Sequence, residues 1–149
     1  MKVLVLYGTS NKGKTETLNL LIDELTEPGR KNVKEEIKYG KDRCCVLEHN
    51  DKTLKITTRG DNEYCLKSDY NKFPDYKDKV DVFICAARSK GETHNYIRSL
   101  ATGENIYWLS KTTFFNKDKA NTKKVEDYRN LQNETQAKEM VNIIEDFLL

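Results

Sequence analysis

Val3-Leu4-Val5-Leu6-Tyr7 is an unbroken apolar run of strand-forming residues. A strand wetted on one face alternates apolar and polar positions; one covered on both faces does not. The run therefore predicts a strand inside a parallel sheet. Gly8 to Gly13 is polar, and from Lys14 the period changes. Leu18, Leu21, Ile22 and Leu25 fall at i, i+3, i+4 and i+7, one face of a helix, which Glu27-Pro28-Gly29 stops. Residues 30–42 are almost all polar or charged and read as an exposed connection, helical at most in part.

Cys44 to Glu48 predicts a strand, and His49-Asn50-Asp51-Lys52 a hairpin turn, because Asn and Asp tolerate turn conformations. Thr53 to Thr58 alternates as a half-buried strand and breaks at Arg59-Gly60-Asp61. Residues 62–79, with Pro74 inside, read as a broken helix. Val80 to Ala87 is the most apolar run and predicts a central strand. Glu92 to Leu100 reads as helix, and Asn105 to Leu109 as strand. Residues 116–133 are rich in Lys, Asn and Asp and are expected to be mobile. Ala137, Met140, Val141, Ile144 and Leu148 form one face of a final helix. Strands alternating with helices predict an α/β fold of three layers, its sheet mostly parallel, with room for one antiparallel hairpin.

At 149 residues the chain is expected to be one domain. It has 26 Lys+Arg against 24 Asp+Glu and is 37% hydrophobic. Charge this well balanced argues for a folded chain over a disordered one. No apolar run approaches the roughly 18–20 residues that span a bilayer, so no membrane partner is expected. Met1 to Tyr7 is too short for a signal peptide. A pI of 8.2 lies below the value of about 9 usual for nucleic-acid-binding domains, so no nucleic acid is expected either. The four cysteines form no C-x-x-C, and only His49 and His94 could assist them, which argues against zinc. They read as reduced, packed thiols in a cytoplasmic protein.

One segment carries chemistry. Gly8-Thr9-Ser10-Asn11-Lys12-Gly13-Lys14-Thr15 fits G-x-x-x-x-G-K-[ST] at every specified position. Glycines let the backbone adopt positive φ and bring its amides close to phosphate oxygens. The helix that follows points its positive end at the same place. Lys14 would neutralise β- and γ-phosphate charge, and the Thr15 hydroxyl would ligate Mg²⁺. The pattern arises by chance in roughly one chain in a few hundred, but here it directly follows a strand and opens a helix, the context it needs.

On these residues the chain resembles the P-loop NTPase superfamily, closely over residues 1–26 and loosely beyond. It is further similar to a group of small bacterial P-loop ATP-binding proteins that open with a GTSNxGKT loop. Those also carry a strand ending in Gly-Asp, here Gly60-Asp61, and one ending in a run matched by Ser89-Lys90-Gly91-Glu92-Thr93. The resemblance implies a nucleotide site without supplying a substrate.

Such sites place an acidic residue on the magnesium side at the end of a neighbouring strand. Asp61 follows its strand and is the expected Mg²⁺ ligand; Asp81 precedes its strand and belongs at the far side. Arg59 and Arg88 leave strands at the same edge, where an arginine fork suits a γ-phosphate or an anionic acceptor. Glu92 is the candidate for positioning an attacking water or hydroxyl. His94 is expected to be structural or exposed.

A GTPase reading lacks its parts: no D-x-x-G occurs, and Asn116-Lys117-Asp118 has its Asp one place early for N-K-x-D. ATP is favoured by elimination. The expected function is Mg²⁺-dependent hydrolysis or phosphoryl transfer from a nucleoside triphosphate. The alternatives are a small-molecule or nucleotide kinase, or a nucleotide-dependent switch with little turnover. The kinase is weakened because a lid at 111–124 would hold Lys111, Lys117, Lys119, Lys123 and Lys124 but no Arg. The switch would use the polar 30–42 and 116–133 stretches to meet a protein partner.

Overall fold

The computed structural model describes residues 1–9, 13–113 and 123–149. Six strands form one mixed sheet: β1 (Lys2–Tyr7), β2 (Val33–Tyr39), β3 (Asp42–His49), β4 (Lys52–Thr57), β5 (Val82–Ala87) and β6 (Ile106–Ser110). Four helices accompany them: α1 (Lys14–Leu25), α2 (Glu63–Tyr70), α3 (Glu92–Leu100) and α4 (Lys123–Ile143), the last closed by a π-helical turn over Ile144–Leu148. The spatial order is β2-β3-β4-β5-β1-β6. β4, β5, β1 and β6 run parallel, and the antiparallel strands β3 and β2 extend that core at one edge. The expected α/β class is therefore observed.

The two most apolar runs occupy the inside of the sheet. β5 is buried at every position, and β1 lies beside it. Alternate side chains of β1 enter different cores. Leu4 and Leu6 pack with Leu18, Leu21 and Ile22 of α1 and with Ala137 and Met140 of α4. Val3 and Val5 pack with Leu66 of α2 and Ile97 of α3. Helices thus cover both faces, as continuous apolar strands require.

The antiparallel edge is set by two turns. Asn50 (φ 48) and Asp51 (φ 60) make a two-residue loop between His49 and Lys52; two positive φ values in a row are what a type I′ hairpin turn demands. Gly40 (φ 64) takes the first place of the two-residue loop between Tyr39 and Asp42. The stretch 30–42, expected to be a connection, thus contains β2. Its burial alternates weakly and two of its glutamates are exposed or half-buried, which suits an edge strand protected by charge; pairing with β3, not apolar content, makes it a strand. The second revision concerns α4, which begins at Lys123 inside the stretch expected to be mobile. Residues 116–122 of that stretch lie outside the described residues. No helix among the described residues is long and apolar enough to cross a membrane.

Candidate functional site

β1 delivers the chain to Gly8, and α1 starts six residues later at Lys14. Gly13 caps the helix in the left-handed region, φ 86. A methyl group there would also lie 2.7 Å from Asn133 Oδ1 of α4 and force that amide to shift; the positive φ is what calls for glycine. The first intrahelical bond runs from Thr17 N to Gly13 O at 3.0 Å. The amides of Lys14, Thr15 and Glu16 are left without helical partners, at the positive end of the helix.

Lys14 is buried, and its ammonium folds back over the turn. Nζ donates to Gly8 O (2.9 Å) and Thr9 O (2.8 Å). Burial lowers its pKa; Asp61 acts against that shift and Arg88 with it. Ser10, Asn11 and Lys12 lie outside the described residues.

The turn opens into a cavity of about 400 Å³. Gly13, Lys14 and Thr15 line it from one side, and Gly60 and Asp61 from the end of β4. Four expected residues, Gly13, Lys14, Thr15 and Asp61, are thus brought together. Gly60 lets β4 leave the sheet hard against β5: a methyl group there would sit 2.0 Å from Ala86 O.

Other expected residues go elsewhere. The Arg59 guanidinium is bidentate on Asp69, Nε to Oδ2 at 3.0 Å and Nη2 to Oδ1 at 2.5 Å, and lies 3.8 Å from the centre of the Tyr39 ring. Asp69 is fully buried and also accepts from Thr57 Oγ1 at 2.5 Å. Arg59 does not line the cavity. Arg88 and Glu92 are exposed and do not line it either, although Arg88 is close enough to act on Lys14. His94 is structural: Nε2 donates to Arg88 O (2.6 Å), and the ring stacks on Trp108 with centroids 4.7 Å apart. Asp81 lies at the far end of the sheet, accepting from Thr53 N at 2.9 Å.

Sequence reasoning missed Asp42. It lines the cavity, and its Oδ1 accepts from Thr58 Oγ1 (2.9 Å) and stands 3.4 Å from Thr15 Oγ1. Because β3 is antiparallel, its first residue stands where the parallel strands end. The Gly40 turn was the usable signal. Arg129 and Asn133 of α4 were missed as well; both line the cavity. The buried stripe of α4 runs Asn133, Gln136, Ala137, Met140. Its switch from apolar to amide side chains marks where the helix leaves the core for the site.

Lys111 directly follows β6, beside the turn. Its N–H donates to Tyr7 O (2.8 Å), and its Nζ donates to Thr112 O. Burial, with Arg129 nearby, pushes its pKa down to about 8.

Among the described residues no three His, Cys, Asp or Glu gather as a metal cage. Mg²⁺ commonly takes only one or two carboxylates and completes its shell with water and phosphate. A hydroxyl (Thr15) and carboxylates (Asp42, Asp61) on one cavity suit such a hard cation. No protein-family model, curated protein or solved structure matches the chain.

Proposed function

We propose that the chain binds a nucleoside triphosphate, ATP by elimination, with Mg²⁺, and that the β1–α1 turn is a phosphate-binding loop. The observation that carries this reading is the buried Lys14 ammonium. Among the described residues its hydrogen-bond partners are two carbonyls of its own turn, at the amino end of α1 and at the wall of a polar cavity. Burying an ammonium this way is costly, and an incoming phosphate would exchange neutral acceptors for a charged one.

The chemistry is hydrolysis or phosphoryl transfer. A water or acceptor hydroxyl attacks the γ-phosphorus and gives up its proton to a phosphate oxygen, the bond from the β–γ bridging oxygen to that phosphorus breaks, and the nucleoside diphosphate leaves with the electron pair. Lys14 moves from Gly8 O and Thr9 O onto the β- and γ-oxygens, and the α1 amides hold the same group. Mg²⁺, when bound, would offset the phosphate charge; Thr15 and a cavity carboxylate would hold it. Arg88, whose charge reaches Lys14, would meet the γ-phosphate or an anionic acceptor. Four unpaired cysteines, three of them buried, support a reducing, cytoplasmic setting.

Thermal melting with and without ATP–Mg²⁺ tests the reading. Ligand at a hundred times its Kd stabilises by about 2.7 kcal/mol, a rise of roughly 5–11 °C for a chain of this size. Lys14→Ala is expected to melt within a few degrees of wild type alone and to show no rise with ATP. A variant that binds ATP like wild type refutes the reading. Phosphate release without an acceptor marks a hydrolase or switch; release only with a nucleotide or sugar acceptor marks a kinase.

A further inference from the structure

From the placement of Asp42 we infer that this residue, the first of an antiparallel strand, is the carboxylate that holds the magnesium ion, and that Asp61 is not. The inference rests on the nucleotide-binding reading of the same site.

The hydroxyl that would ligate the ion belongs to Thr15, and the carboxylate beside it is Asp42, at 3.4 Å. Asp61 stands differently. It is exposed and lines the cavity, but among the described residues no hydrogen bond joins it to Thr15, whereas Asp42 has one. Of the two acids, Asp42 is therefore the one placed beside the threonine hydroxyl.

Asp42 is also oriented. The Thr58 hydroxyl accepts from Arg43 N at 2.9 Å, so its own proton is directed to Asp42 Oδ1, also at 2.9 Å. Thr58 is buried and is held in turn by its N–H donating to Arg43 O at 2.9 Å. Both hydroxyls meet Oδ1. Among the described residues Oδ2 accepts no hydrogen bond, although its residue lines the cavity. A carboxylate with one oxygen anchored and the other open is in the state a ligand to a hard cation needs; supporting partners of this kind fix ligand orientation. Asn19 Nδ2 donates to Lys41 O at 2.8 Å and ties the turn before Asp42 to α1, the helix that carries Thr15.

The test compares ATP affinity by calorimetry in EDTA and in Mg²⁺ for wild type, Asp42→Asn, Asp61→Asn and Thr58→Val, with Mn²⁺ binding followed by electron spin resonance. Wild type is expected to bind ATP more tightly with Mg²⁺. Asp42→Asn should lose that whole increment and the bound Mn²⁺ signal while keeping its affinity in EDTA. Asp61→Asn should keep the increment. Thr58→Val leaves every carboxylate in place and should weaken the increment by roughly tenfold; it carries the test if Asp42→Asn fails to fold. Three results overturn the assignment while leaving nucleotide binding intact: an undiminished increment in Asp42→Asn, its loss in Asp61→Asn, or a wild type that binds ATP indifferently to Mg²⁺. A wild type that binds no ATP under either condition removes the nucleotide reading and this assignment together.

Discussion

Replacing Gly60 by alanine tests the floor of the cavity. The added methyl group would lie 2.0 Å from Ala86 O, 2.3 Å from Ala86 C and 2.8 Å from Ala86 Cβ. Carbon atoms in good contact stand roughly 3.5–4.0 Å apart, so something must move by more than an ångström. The two nearest obstructing atoms are backbone, and all three belong to β5, which is bonded to β4 on one side and β1 on the other. No rotamer change can relieve the clash. Overpacking costs about 1–3 kcal/mol where side chains can give way; with rigid backbone the upper figure applies, about 3 kcal/mol. Unfolding entropy of roughly 2.1 cal/mol/K per residue gives about 0.3 kcal/mol/K for this chain, hence a fall in Tm of about 10 °C. Circular dichroism melts read it. Gly103→Ala is the control, since a methyl group there meets nothing within 4 Å. If Gly60→Ala melts as high as the control with unchanged spectra, β4 does not pass β5 as described, and Asp61 does not stand where the cavity needs it.

Two further outcomes concern buried charge. Asp69→Asn removes the charge that holds Arg59. The acid is fully buried and the Arg59 side chain 21% exposed, so water offsets part of the loss, and the cost should be about 2–3 kcal/mol, read from urea midpoints at constant m-value. A change under about 0.5 kcal/mol would mean the pair contributes little. Lys111 has a pKa lowered to about 8 by burial, against 10.5 for an ordinary lysine. Between those values the unfolded chain holds the proton more firmly, so this group adds stability as pH rises through 8. Comparison with Lys111→Met cancels every other titrating group, including Cys44 and Cys45, pushed up by burial to about 12. From about pH 7 to about pH 10 wild type should gain on the variant; a difference that does not change with pH would refute the burial of this ammonium.

What could be read ahead of the structure follows from the kind of force involved. β1 and β5 were legible because burial on both faces writes an unbroken apolar run, and β6, though an edge strand, because its apolar residues still pack toward both cores. The His49–Lys52 turn was legible because it needs residues that tolerate positive φ. β2 was not, because an edge strand owes its form to a partner and its solubility to charge. The first half of α4 was hidden for a similar reason: its inward positions nearest the site are Asn133 and Gln136, not aliphatic residues. At the site, Gly13, Lys14 and Thr15 are adjacent in sequence, so their grouping needed no tertiary knowledge. Asp61 followed from the direction of a parallel strand. Asp42 required knowing that its strand runs backwards, and the diversion of Arg59 required knowing that α2 carries an acid, Asp69, into the interior.

The place of β1 in the sheet has a cost in time. Val3 pairs with Phe83 on one side and Ile106 on the other, so the first of these six strands to be synthesised is among the last to find both neighbours. At roughly 5–20 residues per second, an apolar ribbon with two open edges waits about 5–20 s for both partners. Chaperone capture of nascent chains should therefore peak before residue 106 emerges and fall once β6 has docked.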